Sequence, residues 1–135
     1  MAYWLVKSEP FKYSWDQMVK DGRTHWDGVR NHQAAANLRA MQVGDRAFFY
    51  HSNEGKEIVG VVEIVRTAYP DPGDESGKFV MVDVAPIGPV ARPVTLAEMK
   101  ADPRLADLAL IRQSRLSVVP VSDAHWAIIS ELAGV

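Results

Sequence analysis

"RAFFYHSNEGKEIVGVVEIVRTAY", Arg46 to Tyr69, is the stretch on which the fold turns. Its first part alternates, with Ala47, Phe49 and His51 on one side of an extended chain and Phe48, Tyr50 and Ser52 on the other. The polar "NEGK" then has the composition of a hairpin connection, and "EIVGVVEIVRTAY" resumes as a long β-branched run. Gly60 interrupts that run and marks a bulge or a close approach of another group.

On the N-terminal side, "YWLVK" (Tyr3 to Lys7) reads as a strand with Tyr3, Leu5 and Lys7 on one face and Trp4 and Val6 on the other; Pro10 stops it. Ser14 and Gln17 have capping-box spacing, which predicts a short helix from about Trp15 to near Gly22. Asn31 reads as the N-cap of a second helix, whose Ala34, Leu38 and Met41 share one face while His32, Ala36 and Arg39 look outward. On the C-terminal side, "PDPGDESG" is an exposed loop and "KFVMVDVAPIG" a strand, with Val80, Val82 and Val84 filling one face. Thr95 caps a third helix, "SRLSVVPV" forms the last strand, and Ser122 caps a terminal helix with Trp126 and Ile129 facing in. No regular βαβ alternation is present, which argues against a doubly wound parallel sheet. The pattern implies an α+β fold: a small, mostly antiparallel β-barrel with helices packed around it, one domain over residues 1–135.

Composition narrows the function. The chain has no cysteine, which excludes a disulfide framework, a thiolate metal site and a cysteine nucleophile. "MAYWLVKSEP" is too short and too soon charged for a signal peptide, and no apolar run approaches a membrane span. A cytoplasmic protein is expected, or a nuclear one in a eukaryote. With a net charge of −2 and a pI near 6.1, the chain lacks the basic stripe of a protein that tracks a long phosphate backbone. If it binds nucleic acid, a pocket and a small local patch must supply the affinity.

The catalytic signatures are weak. No G-x-S-x-G elbow surrounds Ser8 or Ser52, so a hydrolase triad has no strained turn to stand on. His25, His32, His51 and His125 show no H-E-x-x-H pattern; His25 and Asp27 could both ligate one ion, with His51 as a third ligand, but no functional metal is expected. No Walker loop or G-x-G-x-x-G is present, and "DPGDESG" is acidic, the wrong sign for a phosphate cradle. No cofactor is implied.

The aromatic and polar residues are more informative. Of the four tryptophans, Trp4 and Trp126 are assigned to the core. Trp26 stands in a loop before the turn-forming Asp27-Gly28, with Arg30 and Asn31 at a helix entrance, where binding residues tend to sit. Three further polar clusters end or open strands: Lys7, Ser8 and Glu9; Tyr50, His51 and Ser52; and Arg112 to Ser117. A solvated strand end explains any one of them, but together with the Trp26 loop they make a shared mouth.

These stretches resemble the EVE domain family. "YWLVKSEP" (Tyr3 to Pro10), "WDGVRNHQA" (Trp26 to Ala34), "GDRAFFYHS" (Gly44 to Ser52), "IVGVVEI" (Ile58 to Ile64) and "RLSVVPV" (Arg115 to Val121) carry the likeness in the family's order, over essentially the whole chain. The resemblance implies a PUA-like β-barrel, related to the YTH and ASCH folds, that holds a single, often modified, base in a pocket by the barrel. It maps that pocket onto Lys7, Ser8, Glu9, Trp26, Gly28, Val29, Arg30, Asn31, Tyr50, His51 and Ser52, and onto Ser114, Leu116 and Ser117 of the segment entering the last strand. Phe11 follows the "KSEP" motif where the family often has an acidic residue, which alters the pocket rim.

The chemistry agrees with that map. A flipped base needs an aromatic wall and a few fixed polar groups. Trp26 is the expected wall, Ser8, Asn31 and Ser52 the edge readers, and the backbone amides after Gly28 the receivers of an oxygen. Arg30, Arg39, Arg112 and Arg115 are the expected phosphate contacts. The expected function is a non-enzymatic module recognising a modified base in DNA or RNA, with a possible protein partner. An enzyme using His51 with Glu9 or Asp27 for proton transfer is the alternative, as is a protein adaptor with a vestigial pocket. On the reader hypothesis, Trp26→Ala is expected to abolish base preference and leave the fold intact.

Overall fold

The computed structural model describes residues 1–135. The elements run β1 (Tyr3–Ser8), α1 (Trp15–Asp21), β2 (Thr24–Trp26), α2 (His32–Ala40), β3 (Arg46–His51), β4 (Glu57–Pro70), β5 (Val80–Thr95), α3 (Leu96–Ala101), α4 (Ala109–Arg112), β6 (Val118–Val121) and α5 (Asp123–Ala133). The strands form one sheet in the order β2-β5-β4-β3-β1-β6. β1 and β3 run parallel and the other neighbours antiparallel. This α+β sheet is not closed, because its two end strands, β2 and β6, do not pair. The expected barrel is therefore an open, barrel-like sheet. β2, at one end of the order, has only three residues, and a cavity is lined by β2 and by Ser117 just before β6 at the other end.

β3 shows why alternation alone does not separate core from surface here. Phe48 and Phe49 point to opposite faces, yet both are fully buried. On one face Phe48 stacks on Trp126 of α5 with centroids 3.8 Å apart, and Trp126 stacks in turn on Tyr3 at 4.3 Å. On the other, Phe49 meets the edges of Trp15 at 5.5 Å and Trp26 at 5.6 Å. Helices and loops cover the sheet on both sides, so both sets of β3 side chains are core.

Side-chain caps start the helices where the sequence placed them. Ser14, Asn31, Thr95 and Ser122 accept from the amides of Gln17, Ala34, Glu98 and His125. The box at α1 is half made: Gln17 does not reach back to Ser14 but donates to Asp21 at 2.8 Å. Gly22 closes α1 at φ 73°, a conformation that favours glycine. On α2, Ala34, Leu38 and Met41 are buried, while His32, Ala36 and Arg39 are exposed.

Three boundaries differ from expectation. Trp26 ends strand β2, paired with Val82, rather than standing in a loop. β5 continues past Gly88 to Thr95, tolerating its prolines because its register against β4 shifts repeatedly. The last strand begins at Val118 instead of Ser114. No helix is long and apolar enough to cross a membrane.

Candidate functional site

A cavity of about 660 Å³ opens at the gap between the sheet's edges. Three segments wall it: the end of β1 with the turn after it, β2 with its exit loop as far as Asn31, and Ser117 just before β6. Parallel pairing explains the first wall. β1 lies beside β3, with Ser8 opposite His51, and carries Lys7, Ser8 and Glu9 to the sheet's rim. The half-buried Lys7 donates from Nζ to the Ser114 carbonyl at 2.8 Å, and burial lowers its pKa below the ordinary value. Ser8 Oγ donates to the Tyr13 carbonyl at 2.6 Å.

Trp26 supplies the apolar wall. It is 8% exposed and packs on Phe49, so little of the indole is free. Its Nε1–H has no partner within the chain and is not fully buried. Beyond it Gly28, at φ 75°, turns the chain toward α2. The buried Asp71 carboxylate fixes this turn, accepting from Gly28 N at 3.0 Å, Arg30 Nη1 at 2.9 Å and Gly73 N at 2.8 Å. The Gly28 amide is thereby occupied. The amides of Val29, Arg30 and Asn31 have no partner within the chain and remain donors for an oxygen. Asn31 accepts from Ala34 N through Oδ1, which leaves its Nδ2–H₂ free.

The structure thus brings Lys7, Ser8, Glu9, Trp26, Gly28, Val29, Arg30, Asn31 and Ser117 to one cavity. It does not bring Tyr50, His51, Ser52, Ser114 or Leu116 there. Tyr50 and Leu116 are buried in the core. His51 Nε2 accepts from the Trp15 amide at 3.0 Å, and burial holds its pKa below the ordinary value despite the nearby Glu57 and Asp16. Ser52 N donates to the Ser8 carbonyl. The "YHS" cluster lies beside the end of β1, where His51 pairs in register with Ser8 and accepts from the first amide of α1. Ser114 and Leu116 join Arg112, Gln113 and Arg115 in a second depression of about 350 Å³, which shares Asn31 with the first.

The expected phosphate contacts are dispersed. Arg30 is held by Asp71, Arg39 by the Lys78 carbonyl, and Arg112 by the Ala106 carbonyl and Asp107. Arg115 makes no hydrogen bond or ion pair within the chain and is the free cation of the second depression.

Sequence reasoning missed Lys12, Tyr13, Thr24, His25 and Asp27 as cavity residues. A three-residue strand is too short to show periodicity, so β2 left no signal for Thr24 or His25. His25, weighed as a metal ligand with Asp27, instead pairs through Nδ1 with Asp83 at 2.9 Å, and Tyr69 and Arg23 complete that carboxylate's partners. Tyr69 and Asp83 lie far along the chain, on β4 and β5.

Three aspartates are buried: Asp45, Asp71 and Asp83. Burial pushes each carboxyl up, but hydrogen bonds outweigh it and the net pKa lies below the ordinary value. The opposing donors are the Gln42 amide and Trp4 indole for Asp45, Arg30 and two amides for Asp71, and His25, Tyr69 and Arg23 for Asp83. A depressed folded-state pKa contributes stability that is fully present above the unfolded value, about 3.9, and is lost as pH falls through the folded value. Melting temperature is therefore expected to hold from neutral pH to about 5 and to fall steeply below about 4. Asp83→Asn should lower the plateau and flatten the acid limb; an unchanged acid limb would remove Asp83 from the account.

An open six-stranded sheet with a polar, tryptophan-walled cavity at its gap defines a small α+β module. The EVE domain is matched over residues 2–132, and the chain belongs to the EVE domain family. Human thymocyte nuclear protein 1 is 33% identical, over 97% of this chain and 73% of its own length. The crystal structure of human THYN1 protein in complex with 5-methylcytosine containing DNA matches with a TM-score of 0.92 at 34% identity, covering 98% of both chains. A protein of Rhodopseudomonas palustris, solved by NMR, matches at 59% identity and a TM-score of 0.94, over 99% of this chain and 94% of its own. The YTH domain of a Zygosaccharomyces rouxii protein, at 17% identity and a TM-score of 0.62, shares the fold, covering 97% of this chain and 85% of its own.

Proposed function

We propose that residues 1–135 act as a single, non-enzymatic reader module that holds one modified base of a DNA or RNA strand in the cavity beside Trp26. The observation that carries this reading is the cavity's make-up. Its volume, about 660 Å³, lies within the usual range of ligand pockets, roughly 300–1,000 Å³. One wall is an indole, and the unpaired amides of Val29 to Asn31, the Asn31 amide group and Ser117 offer fixed polar groups to a planar edge. The family relative crystallised with 5-methylcytosine containing DNA makes that base the first probe. Cytoplasmic action, or nuclear action in a eukaryote, goes with this reading.

The phosphate path follows from the two depressions. They share Asn31, which supports a strand path from the cavity toward Arg115. Arg115→Ala should weaken binding across all sequences alike and reduce the salt slope by about one. A loss confined to methylated oligonucleotides would place Arg115 at the base instead.

Proton transfer by His51 with Glu9 or Asp27 lacks geometry, since His51 accepts from the Trp15 amide and lies outside the cavity. The test of the reader is fluorescence anisotropy with short single- and double-stranded DNA and RNA, with and without 5-methylcytosine and other modified bases, at two salt concentrations. Modification-dependent affinity that survives higher salt supports it. Weak binding that ignores modification and vanishes with salt overturns it in favour of a protein adaptor, and turnover of the bound base overturns it in favour of an enzyme.

A further inference from the structure

Phe11 is 64% exposed, and no other Phe, Tyr or Trp of the chain is an exposed residue. A lone apolar side chain on a surface ordinarily calls for no explanation. This one differs in where it stands and how it is held. Pro10 precedes it, the amides of Lys12 and Tyr13 both donate to the Glu9 carbonyl at 2.9 Å, and Ser8 Oγ ties the Tyr13 carbonyl from within. The turn is thus fixed at both ends and presents the ring to solvent. It is also the rim of the cavity, since Glu9, Lys12 and Tyr13 all line it. Lys12, the next residue, is 73% exposed and pairs with Glu9 at 3.5 Å.

Resting on the reader hypothesis above, the chemistry of extrusion indicates what such a ring meets. A base seated in the cavity has left its stack, and its neighbours along the strand, about 3.4 Å away per step, lose a stacking partner. Apolar wedges commonly enter such gaps, and aromatic rings stack on any base because every base has a π-face. We propose that Phe11 stacks on the nucleobase adjacent to the one held in the cavity. Trp26 and the loop to Asn31 receive the chosen base, and Phe11 covers the face it exposes. The contribution is to affinity for a strand with an extruded base and not to the choice of modification.

The experiment uses the whole chain and an oligonucleotide carrying one 5-methylcytosine with 2-aminopurine as its 5′ or 3′ neighbour, in single- and double-stranded forms. Wild-type binding should change the 2-aminopurine emission on one side. Phe11→Ala and Phe11→Leu should both abolish that change and weaken binding about tenfold, equally for methylated and unmethylated strands, and Phe11→Trp should restore both. Leucine keeps an apolar side chain on the turn, so loss in that variant at an unchanged melting temperature separates stacking from structure. Wild-type affinity and emission in Phe11→Leu would overturn the proposal. Absence of preference for 5-methylcytosine or any other modified base in the wild-type protein would overturn the reader hypothesis itself.

Discussion

Trp26→Ala is expected to lower the stability of the protein by roughly 3–5 kcal/mol, and with it the melting temperature by roughly 10–20 °C. The sequence alone pointed the other way, to a loop residue whose removal leaves the fold intact. Trp26 is instead buried, its ring edge-on to Phe49 at the end of strand β2, so alanine opens a void in the core. Loss of base preference in that variant would carry no information about recognition. Trp26→Leu separates the two roles, because leucine keeps an apolar side chain in the core but offers neither a flat π-face nor an N–H. It should stay folded at low temperature and lose about tenfold or more of its affinity for a methylated strand, as base–aromatic stacking contributes on the order of 1–3 kcal/mol. A folded Leu variant with native preference would take Trp26 out of recognition.

Gly60→Ala should be nearly as damaging, by a different route. A methyl group on Gly60 would lie 2.5 Å from Cη2 and Cζ3 of Trp15. That ring cannot easily retreat: it is buried edge-on to Phe49, and the Trp15 amide is anchored by His51. Either the β4 bulge opens or α1 lifts from the sheet. Overpacking of this kind costs typically 1–3 kcal/mol, and the upper end is expected here, a fall of roughly 10 °C. Chemical denaturation and thermal melts of Gly60→Ala provide the check. The double variant Gly60→Ala with Trp15→Leu should recover part of the loss relative to the sum of the single changes. Strict additivity would mean that the ring and the glycine do not meet.

Both cases show where local pattern and packing part company. Gly60 announced a bulge or a close approach as an isolated glycine in a β-branched run, and the structure has both, a register shift and an indole against the backbone. The four side-chain caps were legible because each is a local contact, three residues long. The Lys7 to Glu9 and Trp26 to Asn31 segments, paired in the sequence by their resemblance to a family, line one cavity. The "YHS" cluster lies outside the cavity, and a strand end with three polar side chains looks the same whether it opens to a mouth or lies beside a neighbouring strand. Parallel pairing of Ser8 with His51 decides between these, and no local signal encodes it.

By itself the sequence determined the α+β character, the helix starts, the long central hairpin and the limits set by charge and cysteine content. These depend on periodicity, capping chemistry and composition, all readable within a few residues. Only the tertiary structure decided that the sheet stays open, that Trp26 is both core and cavity wall, that Asp71 holds the loop after β2, and that Asp83 holds His25 of β2. It also decided that Arg30 is engaged while Arg115 is free. Each of these joins residues some 40 or more positions apart in the chain, or turns on which of several equivalent cations finds a carboxylate within about 3 Å. Such contacts follow from how the whole chain packs, and no short stretch of it contains them.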